Sequence, residues 1–89
     1  METAESWRAL FENWPDNIAR EGLLVTTLNE TIPFVKFMIS GGLLLVERDR
    51  PDSSDARKVI LAYGAISAVK LKTTAELSQF QAMGFQPPM

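Results

Sequence analysis

At 89 residues the chain has room for one small domain, 1–89, and its 46% hydrophobic and 22% charged composition is that of a folded globular protein rather than a disordered one. Nine Lys and Arg against eleven Asp and Glu leave a net charge of -2, so nothing draws the whole molecule to phosphate backbones or anionic membranes, and any nucleic-acid site must be a local patch. There is no cysteine and no histidine, which removes thiol nucleophiles, disulfides, most zinc sites and the usual general base at neutral pH.

The opening Met1-Glu2-Thr3-Ala4-Glu5 lacks the basic region and apolar stretch of a signal peptide, and no apolar run is long enough to span a bilayer. The expectation is a cytoplasmic protein with no membrane partner. Trp7, Leu10, Phe11 and Trp14 fall at i, i+3, i+4 and i+7, which predicts one apolar stripe on a helix over 3–14. Thr3 or Ser6 can cap its start, and Pro15 stops it. Such a stripe fits a helix that covers the open end of a β domain.

From Arg20 onward short β-prone runs alternate with turn residues, which predicts a barrel over 20–72. The expected strands are 22–28, 31–39, 43–50, 56–63 and 65–71. Pro33 has no amide donor, so the second strand must place it at an edge, a bulge or the strand start. Asn29-Glu30, Ser40-Gly41-Gly42 and Pro51 to Asp55 supply the turns, and Gly64 separates the last two strands. Thr73 followed by Glu76 reads as a capping box for a short helix ending at Gly84, and a frayed tail completes 73–89.

The charged hairpin is the most informative polar feature. Symmetric pairing about Ser53 sets Arg50 opposite Ala56, Asp49 opposite Arg57 and Arg48 opposite Lys58. Side chains alternate between faces, so Arg48, Arg50 and Lys58 share one face with no acid on it and form a candidate site for an anionic ligand or nucleic acid. The alternative is a solvated hairpin tip, and a register slip of one residue would dissolve the cluster. Asp49, Asp52 and Asp55 recur every third residue, but a calcium loop needs more oxygen ligands and a central glycine, so turn chemistry is expected there and no metal. Tyr63 beside Gly64 could stack a base, or pack with its hydroxyl wet. The carboxylates lie on turns and wet faces, no residue set is a candidate for catalysis, and no cofactor is expected.

A helix followed by five short strands, with Gly64 between the last two in Val59-Ile60-Leu61-Ala62-Tyr63-Gly64-Ala65-Ile66-Ser67-Ala68-Val69, resembles the Sm-like family over about Ser6 to Lys72. The resemblance implies a mainly β fold: an N-terminal helix, a five-stranded, strongly bent antiparallel barrel and a short C-terminal helix. It further implies a ring in which the last two strands pair between subunits. Tyr63 stands where many members carry the arginine of an Arg-Gly pair, and Ser40-Gly41-Gly42 stands where the first motif carries an acid and an amide. The N-terminal seventeen residues hold Glu2, Glu5, Glu12 and Asp16 against Arg8 alone, which repels a phosphate chain.

Physical chemistry supplies its own reason for association. Val59, Ile60, Leu61 and Ala62, with Ile66, Ser67, Ala68 and Val69, carry no charge or proline that would guard an exposed strand edge, and form the expected homo-oligomer interface. The leading expectation is a non-enzymatic oligomeric Sm-like scaffold or binding module. Two alternatives stand beside it: an RNA-binding ring using the basic rim and Tyr63, and a small regulatory subunit docking on a larger protein.

Overall fold

The computed structural model describes residues 3–88, so the domain limits at 1 and 89 and the charge of Glu2 lie outside the described residues. Helix α1 covers Thr3–Glu12. The last turn closes on Asn13, whose backbone amide and side-chain Nδ2 both donate to the Ala9 carbonyl at 3.0 and 2.8 Å. Pro15 forbids a further turn, and the chain instead folds back so that the Trp14 indole Nε1 donates to the Ile18 carbonyl at 2.9 Å. Phe11, Trp14 and Ile18 are thereby buried together, while Trp7 and Leu10 stay half-buried.

Six strands follow: β1 Gly22–Thr26, β2 Thr31–Phe34, β3 Lys36–Ser40, β4 Leu43–Glu47, β5 Lys58–Ala62 and β6 Ile66–Lys70. They form two open three-stranded antiparallel sheets, in the orders β2-β1-β6 and β3-β4-β5. This corrects the expected five-stranded closed barrel, and with it the Sm-like resemblance and the ring, scaffold and RNA-ring functions that followed from it.

Two local features keep the sheets separate. The run expected as one strand over 31–39 breaks at Val35, whose amide donates to the Glu47 carbonyl at 2.8 Å, so its first half pairs with β1 and its second with β4. The last two strands also part company. A 3-10 turn at Tyr63–Ala65 sends β5 and β6 into different sheets, and they do not pair with each other.

The first strand is shorter than its composition suggests because Thr26 builds the turn. Its Oγ1 accepts from the amides of Leu28 and Glu30 at 3.3 and 3.1 Å, its own amide donates to the Glu30 carbonyl, and Asn29 takes the left-handed conformation at φ 64. Gly22 has a different task. A Cβ built there would lie 2.5 Å from the Lys70 carbonyl oxygen, so only glycine lets β1 and β6 approach at that point.

Both sheets contribute to one core. Leu24, Ile32 and Phe34 from the first sheet meet Leu44 and Val46 from the second, with Phe11, Trp14 and Ile18 above them and Tyr63 and Ile66 beside them. Phe37 is the aromatic hinge: its ring meets Phe11 edge-on at 4.9 Å and Trp14 at 5.2 Å. A 3-10 helix, Leu77–Met83, packs Phe80 and Met83 against the same core, and Gly84 ends it at φ 99. Its start is set by the Glu76 amide donating to Gln79 Oε1 at 2.9 Å, whereas Thr73 bonds only the Ala75 amide. Among the described residues no helix is long and apolar enough to cross a membrane.

Candidate functional site

The hairpin between β4 and β5 does not follow the symmetric register. Glu47 pairs with Lys58, and the Arg48 amide donates to the Arg57 carbonyl at 2.7 Å. At the tip the Asp52 amide donates to the Ala56 carbonyl, so Asp49, Arg50 and Pro51 bulge out with nothing opposite them. Lys58 accordingly shares a face with Glu47, its Nζ 3.4 Å from Oε2, and points away from the face of Arg48. Arg48 is turned onto the loop, where its Nε donates to the Arg50 carbonyl at 3.1 Å. The structure therefore keeps Arg48 beside Arg50 and sets Lys58 apart from both, on the face of Glu47.

Asp52 organises the tip. Its Oδ1 accepts from the amides of Ser54 and Ala56 at 2.8 and 2.9 Å. The Ala56 and Ser54 amides hold its carboxyl below the usual carboxylate range, with Arg48 adding a smaller push in the same direction. Among the described residues no three acidic side chains converge as a cation site.

Tyr63 is not available to stack a base. It is 2% exposed, its ring 6.2 Å from that of Phe11, and its hydroxyl is buried with no hydrogen-bond partner. Burial pushes the phenol above its ordinary range, and the Glu12 carboxylate adds to the shift. Gly64 stays exposed beside it, in the turn that faces α1.

The candidate interface residues divide by strand. On β6, Ile66 is buried, Ala68 and Val69 are half-buried and only Ser67 is exposed, so this strand spends its apolar side chains on the core. On β5, Val59 and Leu61 face inward, whereas Ile60 is 67% exposed and Ala62 is exposed. Period-two alternation thus gives β5 one dry face and one open face.

The open face extends beyond β5. The register aligns Met38, Leu45 and Ile60 in one row across the second sheet, with Ser40, Leu43 and Ala62 in the next row and Lys36, Glu47 and Lys58 on the other side. Met38 is 70% and Leu43 48% exposed, so an apolar stripe crosses all three strands. At its charged end lies a groove of about 310 Å³ lined by Arg20, Lys36, Phe37, Met38, Leu45, Glu47 and Lys58. The Arg20 guanidinium sits 5.7 Å from the centre of the Phe37 ring and 3.8 Å from the Asp16 carboxylate.

Met38, Leu43, Leu45 and Arg20 were not visible as a site in the sequence. The available signal was the alternation from Lys36 to Ser40, in which the outward positions include an unguarded methionine. Comparison with protein-family models, with curated proteins and with solved structures finds no match to this chain, so no role comes to these residues from a relative.

Proposed function

We propose that this chain is non-enzymatic and self-associates through the edge of β5. The observation that carries the reading is Ile60, two-thirds exposed at the centre of an edge strand that holds neither proline nor mid-strand charge. Antiparallel pairing of β5 with its symmetry mate about Ile60 sets Ile60 against Ile60, Val59 against Leu61, and Lys58 against Ala62. No like charges oppose each other, and the apolar row runs on across six strands.

The other edges are less suited to pairing. Pro33 removes a donor from β2, Arg20 places a charge beside β3 at Phe37, and β6 borders the cleft between α1 and the C-terminal segment, which Ser67, Asn13 and Met83 line. A five-residue edge is a small interface, so the expected dimer is of micromolar affinity and exchanges with monomer. The reading includes a cytoplasmic location, since a chain without cysteine needs no oxidising compartment.

Light scattering across a concentration series tests it. A rise in mass from monomer to dimer that Ile60→Lys abolishes supports the pairing. A wild-type protein that stays monomeric at several hundred micromolar would overturn it.

A further inference from the structure

The groove at the charged end of the second sheet combines features that a bare apolar patch lacks. Its floor is Met38 and Leu45, its wall is Phe37, and cationic side chains from two separate parts of the chain, Arg20 before β1 and Lys36 on β3, converge on it. Glu47 is the only acid lining it, and that carboxylate is taken by Lys58 at 3.4 Å. Among the described residues Lys36 has no carboxylate within 4.0 Å, although its cross-strand partner is Glu47. Arg20 is held by its place over the Phe37 ring and by a long contact to Asp16, whose side chain is fully in water, so its hydrogen-bond donors can turn to a ligand at little cost.

We infer that this groove binds a small amphipathic anion: a carboxylate or sulfonate on an aromatic or branched aliphatic body. The anionic head sits between the Lys36 ammonium and the Arg20 guanidinium, where a charge-assisted hydrogen bond gains most. The apolar body lies along Met38 and Leu45, removing from water the surface that the fold leaves bare. The volume is at the lower end of the range for small-molecule sites, which limits the body to about three rings. Charge decides the class of ligand: three cations against one acid disfavour a cationic body, and the apolar floor disfavours a bare phosphate or sulfate. The groove draws on β5 only through Lys58, which pairing about Ile60 would leave on the open face of the sheet, so the inference does not rest on whether β5 pairs.

The test uses the full chain with two fluorescent probes of similar shape, 8-anilinonaphthalene-1-sulfonate and neutral N-phenyl-1-naphthylamine. The inference predicts that the sulfonate binds more tightly than the neutral probe and that added salt narrows the difference. Lys36→Gln should weaken the sulfonate about tenfold, the worth of one hydrogen bond to a charged group, and leave the neutral probe unchanged. Lys36→Arg should restore binding, and Met38→Gln should weaken both probes. Because Lys36 and Met38 are exposed, these variants keep the wild-type melting temperature. A sulfonate affinity indifferent to Lys36→Gln and Arg20→Gln would overturn the inference, as would equal binding of the two probes or no binding at millimolar concentration.

Discussion

Gly22→Ala is a change whose sign the fold reverses. Alanine for glycine within a strand ordinarily stabilises by about 0.4–1 kcal/mol, because the unfolded chain has less freedom to lose. Gly22 has no left-handed φ that would forbid a side chain. Its new Cβ would nevertheless lie 2.5 Å from the Lys70 carbonyl oxygen and 3.2 Å from Leu71 Cδ2. The oxygen is backbone of β6, which pairs with β1 beside it at Leu23 and Lys70, so it cannot swing aside as a flexible side chain would. Overpacking of this kind costs about 1–3 kcal/mol, which leaves a net loss of about 1.5 kcal/mol after the entropic gain. In a domain of this size that lowers Tm by about 10 °C.

Thermal unfolding followed by circular dichroism measures the shift. Gly42→Ala is the matched control: nothing lies within 4 Å of a Cβ there, and its Tm should hold or rise by a few degrees. A Gly22→Ala protein that melts at or above the wild-type temperature would refute the close approach of β1 and β6.

Further outcomes follow from the core and the hairpin. Tyr63→Phe removes a buried hydroxyl that has no partner and should leave stability at neutral pH unchanged or slightly higher. The wild-type phenol titrates above its ordinary range, so the stability it contributes is complete below pH 10 and is lost as pH rises through the folded value; Tyr63→Phe should flatten that alkaline loss in a pH series of urea midpoints. Asp52→Ala removes the acceptor for two tip amides and should lower Tm at neutral pH. Because its folded pKa is depressed, that difference is present above the ordinary carboxylate pKa and fades as pH falls through the folded value. Trp14→Phe loses the bond to the Ile18 carbonyl and part of a buried ring, and should cost about 2 kcal/mol by urea unfolding.

Much of the local structure was written in spacing. The stripe Trp7, Leu10, Phe11 marked the core-facing side of α1, and Trp14 joins the same core from beyond the helix, which ends at Glu12, two residues short of the expected limit. What the sequence did not disclose was how the strands connect. Nothing in Thr31 to Ile39 announces a break at Val35, because the bend is fixed by a long-range bond to Glu47. A single bent strand and two strands in different sheets carry the same alternation. The assignment to a closed barrel rested on strand count and Gly64, neither of which determines pairing.

The expected grouping of Lys58 with Arg48 and Arg50 comes apart for a more specific reason. Symmetric pairing about Ser53 ignored that Pro51 cannot donate to a ladder and that Asp52 would capture the amides of Ser54 and Ala56, pushing Asp49 to Pro51 outward. The resulting one-residue shift sends Lys58 to Glu47. The sequence leaves Tyr63 between stacking a base and packing with its hydroxyl wet, because the packing of α1 over the turn at 63–65, which buries ring and hydroxyl alike, is invisible to local pattern. Conversely, Ile60 stands out in the sequence as an apolar position on an unguarded strand and is exposed in the fold, while its row companions Met38 and Leu45 emerge only when the register aligns them.

The pairing of β5 is tested most directly by cross-linking, for which a chain without native cysteine offers a clean background. Two-fold pairing about residue 60 places the two copies of that position side by side, whereas the two copies of position 62 are offset by about 13 Å along the strands. Ile60→Cys should form a covalent dimer rapidly under mild oxidation, and Ala62→Cys should remain monomeric on the same timescale. Equal cross-linking at the two positions, or none at position 60, would contradict self-association through this edge.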